Sequence, residues 1–150
     1  MTRDPSPDDL LVERASAVRP RAYAPYSRFA VGAALRAGSG EVYVGVNVEN
    51  ASFGLTICAE RSAICAAVSA GETHIQAIAI CAEGAEPVPP CGACRQVIRE
   101  FGAEVRVIMT NTEGARRSLD IAALLPASFT GDELRGRARA RDADDKGDPA

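Results

Sequence analysis

The chain has no tryptophan, a single histidine (His74), and seven Phe and Tyr residues among 150. With one histidine, any metal site must be built from thiolates, or from thiolates and carboxylates. No apolar run approaches the ~18 residues of a membrane-spanning helix, so a membrane protein of that kind is excluded. There is no basic excess either: 17 Lys and Arg stand against 20 Asp and Glu, a net charge of −3. General affinity for nucleic acid, which needs many phosphate-neutralising cations, is therefore not expected. The opening MTRDPSPDDL lacks a basic stretch followed by an apolar one, so no export signal is visible, and these absences together point to the cytoplasm. Disulfides are then not expected, and an odd count of five cysteines could not pair completely in one chain.

What is present is the ordinary globular mix, 47% apolar and 25% charged. That composition and length suit one domain with a sizeable core. Ser6-Pro7-Asp8-Asp9 reads as a helix start, with a capping Ser, Pro in the first turn and acids at the positive end of the dipole; the helix should stop before Pro20. A loop rich in Tyr and Pro follows. Strands are expected over Phe29–Arg36 and Glu41–Val48, joined by a hairpin at Gly38-Ser39-Gly40, with Val42, Val44, Val46 and Val48 on one face. Cys58–Gly71 and Cys91–Phe101 read as helices, Ile75–Cys81 and Val105–Met109 as strands, and a last short strand should end at Leu119. Asp120 is expected to cap a short helix ended by Pro126. The domain is read as residues 1–131, and residues 132–150 as a charged, disordered tail. Its arginines oppose its aspartates, so it is not read as a polyanion-binding arm. The alternation of strands and helices predicts an α/β fold with helices on both faces of one sheet.

Two fragments carry the chemistry: Cys58-Ala59-Glu60 and Pro90-Cys91-Gly92-Ala93-Cys94. Cys91 and Cys94, in Pro90-Cys91-Gly92-Ala93-Cys94, stand at a helix start, where one turn brings both sulfurs to one side and free N–H groups favour thiolates. Cys58 stands at another. Three thiolates from two helix starts can hold zinc and leave its fourth position open, the mark of a catalytic site. Glu60, two residues beyond Cys58, is placed to reach a water at that position without being a ligand. Cys-x-Glu followed by Pro-Cys-x-x-Cys is the pattern of zinc nucleobase deaminases. A redox Cys-x-x-Cys pair would not explain Glu60. A four-thiolate structural site lacks its fourth ligand, since Cys65 lies two turns along its helix and Cys81 ends a strand; both are expected in the core. His74 is expected on the surface. Zinc with three thiolates carries a net charge of −1, and Arg61 and Arg95, each directly after a site residue, are expected to offset it, either by donating to a sulfur.

With those motifs in place, the sequence resembles the cytidine deaminase family, in its short homotetrameric class. The matching segments are Tyr23-Ala24-Pro25-Tyr26-Ser27-Arg28-Phe29 with Val31-Gly32-Ala33-Ala34, Asn47-Val48-Glu49-Asn50-Ala51-Ser52-Phe53, Cys58-Ala59-Glu60-Arg61, and Pro90-Cys91-Gly92-Ala93-Cys94-Arg95-Gln96. A late Leu124-Leu125-Pro126 with Phe129 also fits. Ala30 departs from the family, which usually has Pro there. The resemblance implies a three-layer α/β/α sandwich around a five-stranded mixed sheet, one zinc ion per subunit on Cys58, Cys91 and Cys94, and Glu60 as the proton shuttle. It further implies that Asn47 and Glu49 bind the ribose hydroxyl and that Phe29 packs on the nucleoside. Ala51, Phe53 and Phe129 match positions that complete a neighbouring subunit's site in a homotetramer. The Ala59 region, at a helix start, is suited to donate a backbone N–H to the base carbonyl.

The implied reaction is hydrolytic deamination of cytidine and 2'-deoxycytidine to uridine and 2'-deoxyuridine, as in pyrimidine salvage. A deaminase of a modified cytosine nucleoside, such as a blasticidin-type antibiotic, shares the zinc motifs; the Asn47-x-Glu49 clamp argues against it. A polynucleotide deaminase would need a basic groove that the charge balance does not supply. A zinc-stabilised binding module would have no use for Glu60. Tyr23 and Tyr26 are expected to form a satellite core cluster.

Overall fold

The structure of the chain, a computed structural model, describes residues 4–136. Helix α1 (Pro7–Val18) begins at Ser6, whose hydroxyl accepts from the Asp9 amide while the Asp9 carboxylate accepts from the Ser6 amide, a reciprocal capping box. The Ser6 hydrogen bonds, with Arg116 adding, bring the Asp9 carboxyl down to about 2. A single 3-10 turn, Arg19–Arg21, closes the helix at Pro20.

Five strands follow in one sheet: β1 (Val31–Ala37), β2 (Val42–Val46), β3 (Ile75–Ala82), β4 (Arg106–Asn111) and β5 (Arg116–Asp120). Their spatial order is β2-β1-β3-β4-β5. The β3–β4 pair is parallel and the other three are antiparallel. Helix α2 (Ala59–Ser69) connects the hairpin to β3, α3 (Gly92–Glu100) makes the crossover that a parallel β3–β4 pair requires, and α4 (Ile121–Leu124) is one turn after β5.

Alternation along the strands sorts side chains by size. Ala34, Ala77, Ala79, Cys81 and Ile108 face α1 and pack on Leu11 and Ala15. Leu35, Ile78, Ile80, Val107 and Met109 face the other way, into the larger core under α2 and α3. Small side chains let the helices come close. A Cβ at Gly32 would lie 2.1 Å from the Ala15 carbonyl oxygen, and one at Gly45 would lie 2.3 Å from the Ala63 amide nitrogen and 2.6 Å from the Ala59 carbonyl oxygen. The first turn of α2 therefore rests directly on β2. The expected three layers, with a mixed five-stranded sheet between helices, are the observed ones.

Several expectations need correction. β1 begins at Val31 rather than Phe29, because residues 28–30 form an irregular entry with Arg28 at φ 59°. Cys65 is exposed: α2 buries Ala63, Ile64 and Ala67, and the helix phase turns position 65 outward. Cys81 is buried and His74 exposed, as expected. Tyr23 and Tyr26 are exposed and form no satellite core. Residues 131–136 are helical, so the tail expected to be disordered from residue 132 starts inside a helix; residues 137–150 lie outside the described ones, as do residues 1–3. Among the described residues no helix is long and apolar enough to cross a membrane.

Candidate active site

Cys58 and Cys91 occupy equivalent places, each the N-cap of a helix with extended backbone, at ψ 156° and 164°. Cys94 follows in the first turn of α3, and its amide donates to Cys91 Sγ at 3.5 Å. The two helix starts meet, so Cys58 Sγ and Cys91 Sγ are 3.9 Å apart and the sulfurs of Cys58, Cys91 and Cys94 lie within 4.8 Å of one another. Thiolates about 2.3 Å from a tetrahedral zinc are separated by roughly 3.8 Å, so this cluster needs little adjustment to hold one. Both helix dipoles direct their positive ends at the sulfurs. A hydrogen bond from Cys94 is the largest cause that brings the Cys58 thiol down to about 5; Arg61 and Cys91 add to it, and burial opposes. The same bond pushes the Cys94 thiol up. Donor set, spacing and a thiol already poised to ionise all fit zinc.

Glu60 is 4% exposed in the first turn of α2. Burial pushes its carboxyl above the ordinary range, and the charge of Cys58 adds to this, while the backbone and Cys94 hydrogen bonds and the charge of Arg61 oppose it. Glu60, Ala59, Cys58 and Cys91 share a cavity of about 280 Å³ with Phe29, Asn47 and Glu49. The rest of the wall is largely apolar, with Val31, Ile80, Ala82 and Val88, and its polar groups besides the sulfurs and carboxylates are Ser27, Asn47 and Thr56. A flat heterocycle with a polar arm matches such a space.

The two arginines part company. Arg61 Nη2 donates to Cys58 Sγ at 3.5 Å and to the Thr56 carbonyl at 3.3 Å, as expected for a cation offsetting thiolate charge. Arg95 reaches no sulfur. Its Nε donates to the Pro90 carbonyl at 2.8 Å and its Nη1 to the Leu124 carbonyl at 2.9 Å. One position past Cys94 on a helix is about 100° around the axis, which aims Arg95 away from the ligand beside it.

Asn47 and Glu49 lie side by side, both buried, on the face of the chain opposite Val46 and Val48. Both hold the loop before β1. Asn47 accepts from the Val31 amide at 2.9 Å and donates to the Phe29 carbonyl at 2.8 Å. Glu49 accepts from the Tyr26 amide at 2.8 Å, from the Ser27 amide and from the Ser27 hydroxyl. That hydroxyl, the largest cause, and the two amides hold its carboxyl below the usual value. Ser27 also accepts from the Phe29 amide at 3.0 Å, which makes its hydroxyl the link between Glu49 and Phe29. Its role was not read from the sequence; a Ser in a Pro-broken loop was the available signal. Ala51, Phe53 and Phe129 are exposed and stand outside this chain's own cavity. Phe53 meets Tyr26 edge-on, with centroids 5.6 Å apart.

Residues 5–110 match the family model described as the cytidine and deoxycytidylate deaminase zinc-binding region. The chain is 47% identical over 126 residues to a cytidine deaminase of Halalkalibacterium halodurans, covering 83% of this chain and 96% of that one. It is 46% identical over 114 residues to a cytidine deaminase of Mycobacterium tuberculosis, covering 75% and 82%. Among solved structures, the cytidine deaminase of Burkholderia pseudomallei aligns with a TM-score of 0.78 at 47% identity, over 86% of this chain and all of that one. The Mycobacterium tuberculosis enzyme aligns with a TM-score of 0.72 at 38% identity, over 85% and 98%. With the thiolate cluster, the buried Glu60 and the shared sheet in agreement, this chain belongs to the zinc-binding cytidine and deoxycytidylate deaminase family.

Proposed function

We propose that this chain hydrolyses cytidine and 2'-deoxycytidine to uridine and 2'-deoxyuridine with release of ammonia. The observation that carries this reading is Glu60: a buried carboxyl with a raised pKa, in the same cavity as the thiolate cluster. Cys58, Cys91 and Cys94 would hold zinc, which would supply the Lewis acidity that makes a water nucleophilic near neutral pH. Glu60 takes the proton of that water and passes it to ring N3 as the C4–O bond forms. It then carries the proton of the new C4 hydroxyl to the exocyclic amine, so that the C4 carbonyl forms as the C4–N bond breaks with ammonia as leaving group. A carboxyl that must act as both base and acid benefits from a pKa moved toward neutrality. Arg61 moderates the charge of three thiolates. Phe29 packs on the base, the Ala59 amide faces its carbonyl, and Asn47 and Glu49 receive the ribose hydroxyl.

The same reading places the enzyme in pyrimidine salvage in the cytoplasm, as a homotetramer in which Ala51, Phe53 and Phe129 complete a neighbour's site. The working domain, read from the sequence as residues 1–131, extends through the helix at residues 131–136, and the charged end beyond it is dispensable. The exposure of Phe53 and Phe129, at 72% and 56%, supports the assembly, because large apolar side chains left outside a core invite cover.

An absorbance assay with cytidine, 2'-deoxycytidine, free cytosine, a blasticidin-type nucleoside and a cytosine oligonucleotide tests the reading. The two natural nucleosides should turn over fastest. Glu60→Gln should retain zinc by elemental analysis yet lose about 10²–10⁴ of the rate. A zinc-replete Glu60→Gln chain at near-normal rate would reject the mechanism, and preference for the oligonucleotide would reject the substrate.

A further inference from the structure

Three polar side chains on one side of α3 reach the same stretch of chain. Arg95 Nη1 donates to the Leu124 carbonyl at 2.9 Å, Gln96 Nε2 to the Phe129 carbonyl at 2.8 Å, and Arg99 Nε to the Ser128 hydroxyl at 3.2 Å. Residues 95, 96 and 99 are neighbours on a helix surface, and all three are half-buried, while Cys94 and Ile98 of the adjoining stripe are buried in the core. The segment they hold leaves α4 at Leu125, turns through Pro126 and through Ala127 at φ 52°, and arrives at Phe129. It runs outside the sheet, so side-chain donors do the work that a strand ladder would do. The Arg95 guanidinium also spends its Nε on the Pro90 carbonyl at 2.8 Å, one residue before Cys91. One rigid planar group thus bridges two carbonyls: one where the chain enters a metal ligand, the other at the C-terminal end of α4.

We propose that Arg95 is a positioning residue that couples the Cys91 loop to the segment 124–129, and that Gln96 and Arg99 complete the tether that places Phe129. The consequence for turnover rests on the deaminase reading above; the coupling itself rests on these contacts. Lysine keeps the charge of Arg95 but presents a point donor on a flexible stem, and cannot span both carbonyls with fixed geometry. Removing the fork frees the approach to Cys91 and the exit from α4 at once, whereas removing the Gln96 amide frees only the far end.

The test uses the full-length, zinc-loaded chain and two readouts that need no turnover: zinc release to a chelator, and amide hydrogen exchange over 124–130. Arg95→Lys should speed zinc release by about tenfold or more, in the range of losses when a ligand's supporting contacts are removed. It should also speed exchange over 124–130 by about fivefold, the worth of one ordinary hydrogen bond. Gln96→Ala should speed exchange alike, leave zinc release unchanged, and raise KM with kcat kept. Wild-type zinc release and exchange in Arg95→Lys would mean that Arg95 acts by charge alone, and would overturn the proposal. So would zinc release in Gln96→Ala as fast as in Arg95→Lys. Should Arg95→Lys not fold, coupling is read in the wild-type chain by reciprocity: chelating zinc must speed exchange over 124–130 more than over α1, and equal change in both overturns the proposal. A wild-type chain that fails to deaminate cytidine would reject the function while leaving these readouts intact.

Discussion

Arg61 Nη2 lies 3.5 Å from Cys58 Sγ, which puts a guanidinium directly on a cluster of three thiols. Its guanidinium also rests on the Thr56 carbonyl, so the contact is anchored from behind. Arg61→Gln should weaken zinc binding by about 10–100-fold in a chelator competition. The sign with pH follows from Cys58. Arg61 helps hold that thiol low, at about 5. Its loss lets protons compete better for the sulfur, so the deficit should widen as pH falls. Arg61→Lys should restore much of the affinity, because charge is what is needed here; at Arg95, where two carbonyls are bridged, Lys should not. Equal rescue at both positions would remove the distinction.

Glu49 receives two amides and a hydroxyl from Tyr26 and Ser27. Glu49→Gln puts an NH₂ group where an acceptor is required, so it should be nearly as damaging as Glu49→Ala. Both should cut kcat/KM for cytidine by about tenfold or more, the worth of a hydrogen bond to a charged group. Free cytosine, which has no ribose, should suffer less, and what it does lose reports the loosened placement of Phe29. Equal losses on both substrates would make Glu49 a loop anchor only. Because its carboxyl is held below the usual value, wild-type kcat/KM should show no titration of this group near neutral pH.

Gly45 is where β2 touches the backbone of α2. A Cβ there would meet Ala63 N at 2.3 Å and Ala59 O at 2.6 Å, and neither is a flexible side-chain end that can swing aside. Gly45→Ala should therefore cost about 1–3 kcal/mol of stability by overpacking, measured by urea unfolding. The displaced turn carries Cys58 and Glu60, so zinc affinity should fall with it. A variant as stable as wild type with full zinc affinity would show that α2 can shift without carrying its ligand.

The parts of the site that were legible in the sequence are those with local spacing. Cys91 and Cys94 sit on one helical turn, Cys58 and Glu60 on another, and the chain's own geometry brings each pair together whatever else it does. The hairpin, the Ser6 cap and the apolar β3 are local in the same sense. What escaped depends on phase or on distant partners. Arg95 follows Cys94 in sequence but points to Pro90 and Leu124, because helix phase decides direction. Cys65 turned outward for the same reason. Asn47 and Glu49 were readable as a polar pair on one face, but their hold on residues 26–31 is a long-range contact that no pattern announces.

Phe129 is 56% exposed, yet its carbonyl is held by Gln96, and the next residue is fixed in turn, the Thr130 amide donating to Glu133 at 2.8 Å. A side chain presented outward on a fixed backbone is suited to serve a neighbour in the proposed tetramer. Phe129→Ala should raise KM about two- to twelvefold while zinc stays bound, from the ~0.5–1.5 kcal/mol of an aromatic contact. Truncation should be made after Gly136 rather than Gly131, since the shorter chain loses Glu133; the 136-residue chain should keep full activity. Mixing Phe129→Ala chains with excess Glu60→Gln chains, under conditions that let subunits exchange, should restore low-KM sites. Each restored site pairs an intact Glu60 with an intact Phe129 from the chain beside it, at a rate set by the fraction of mixed neighbours. If exchange is proven by mass and KM in the mixture stays at the Phe129→Ala value, the aromatic serves only its own chain.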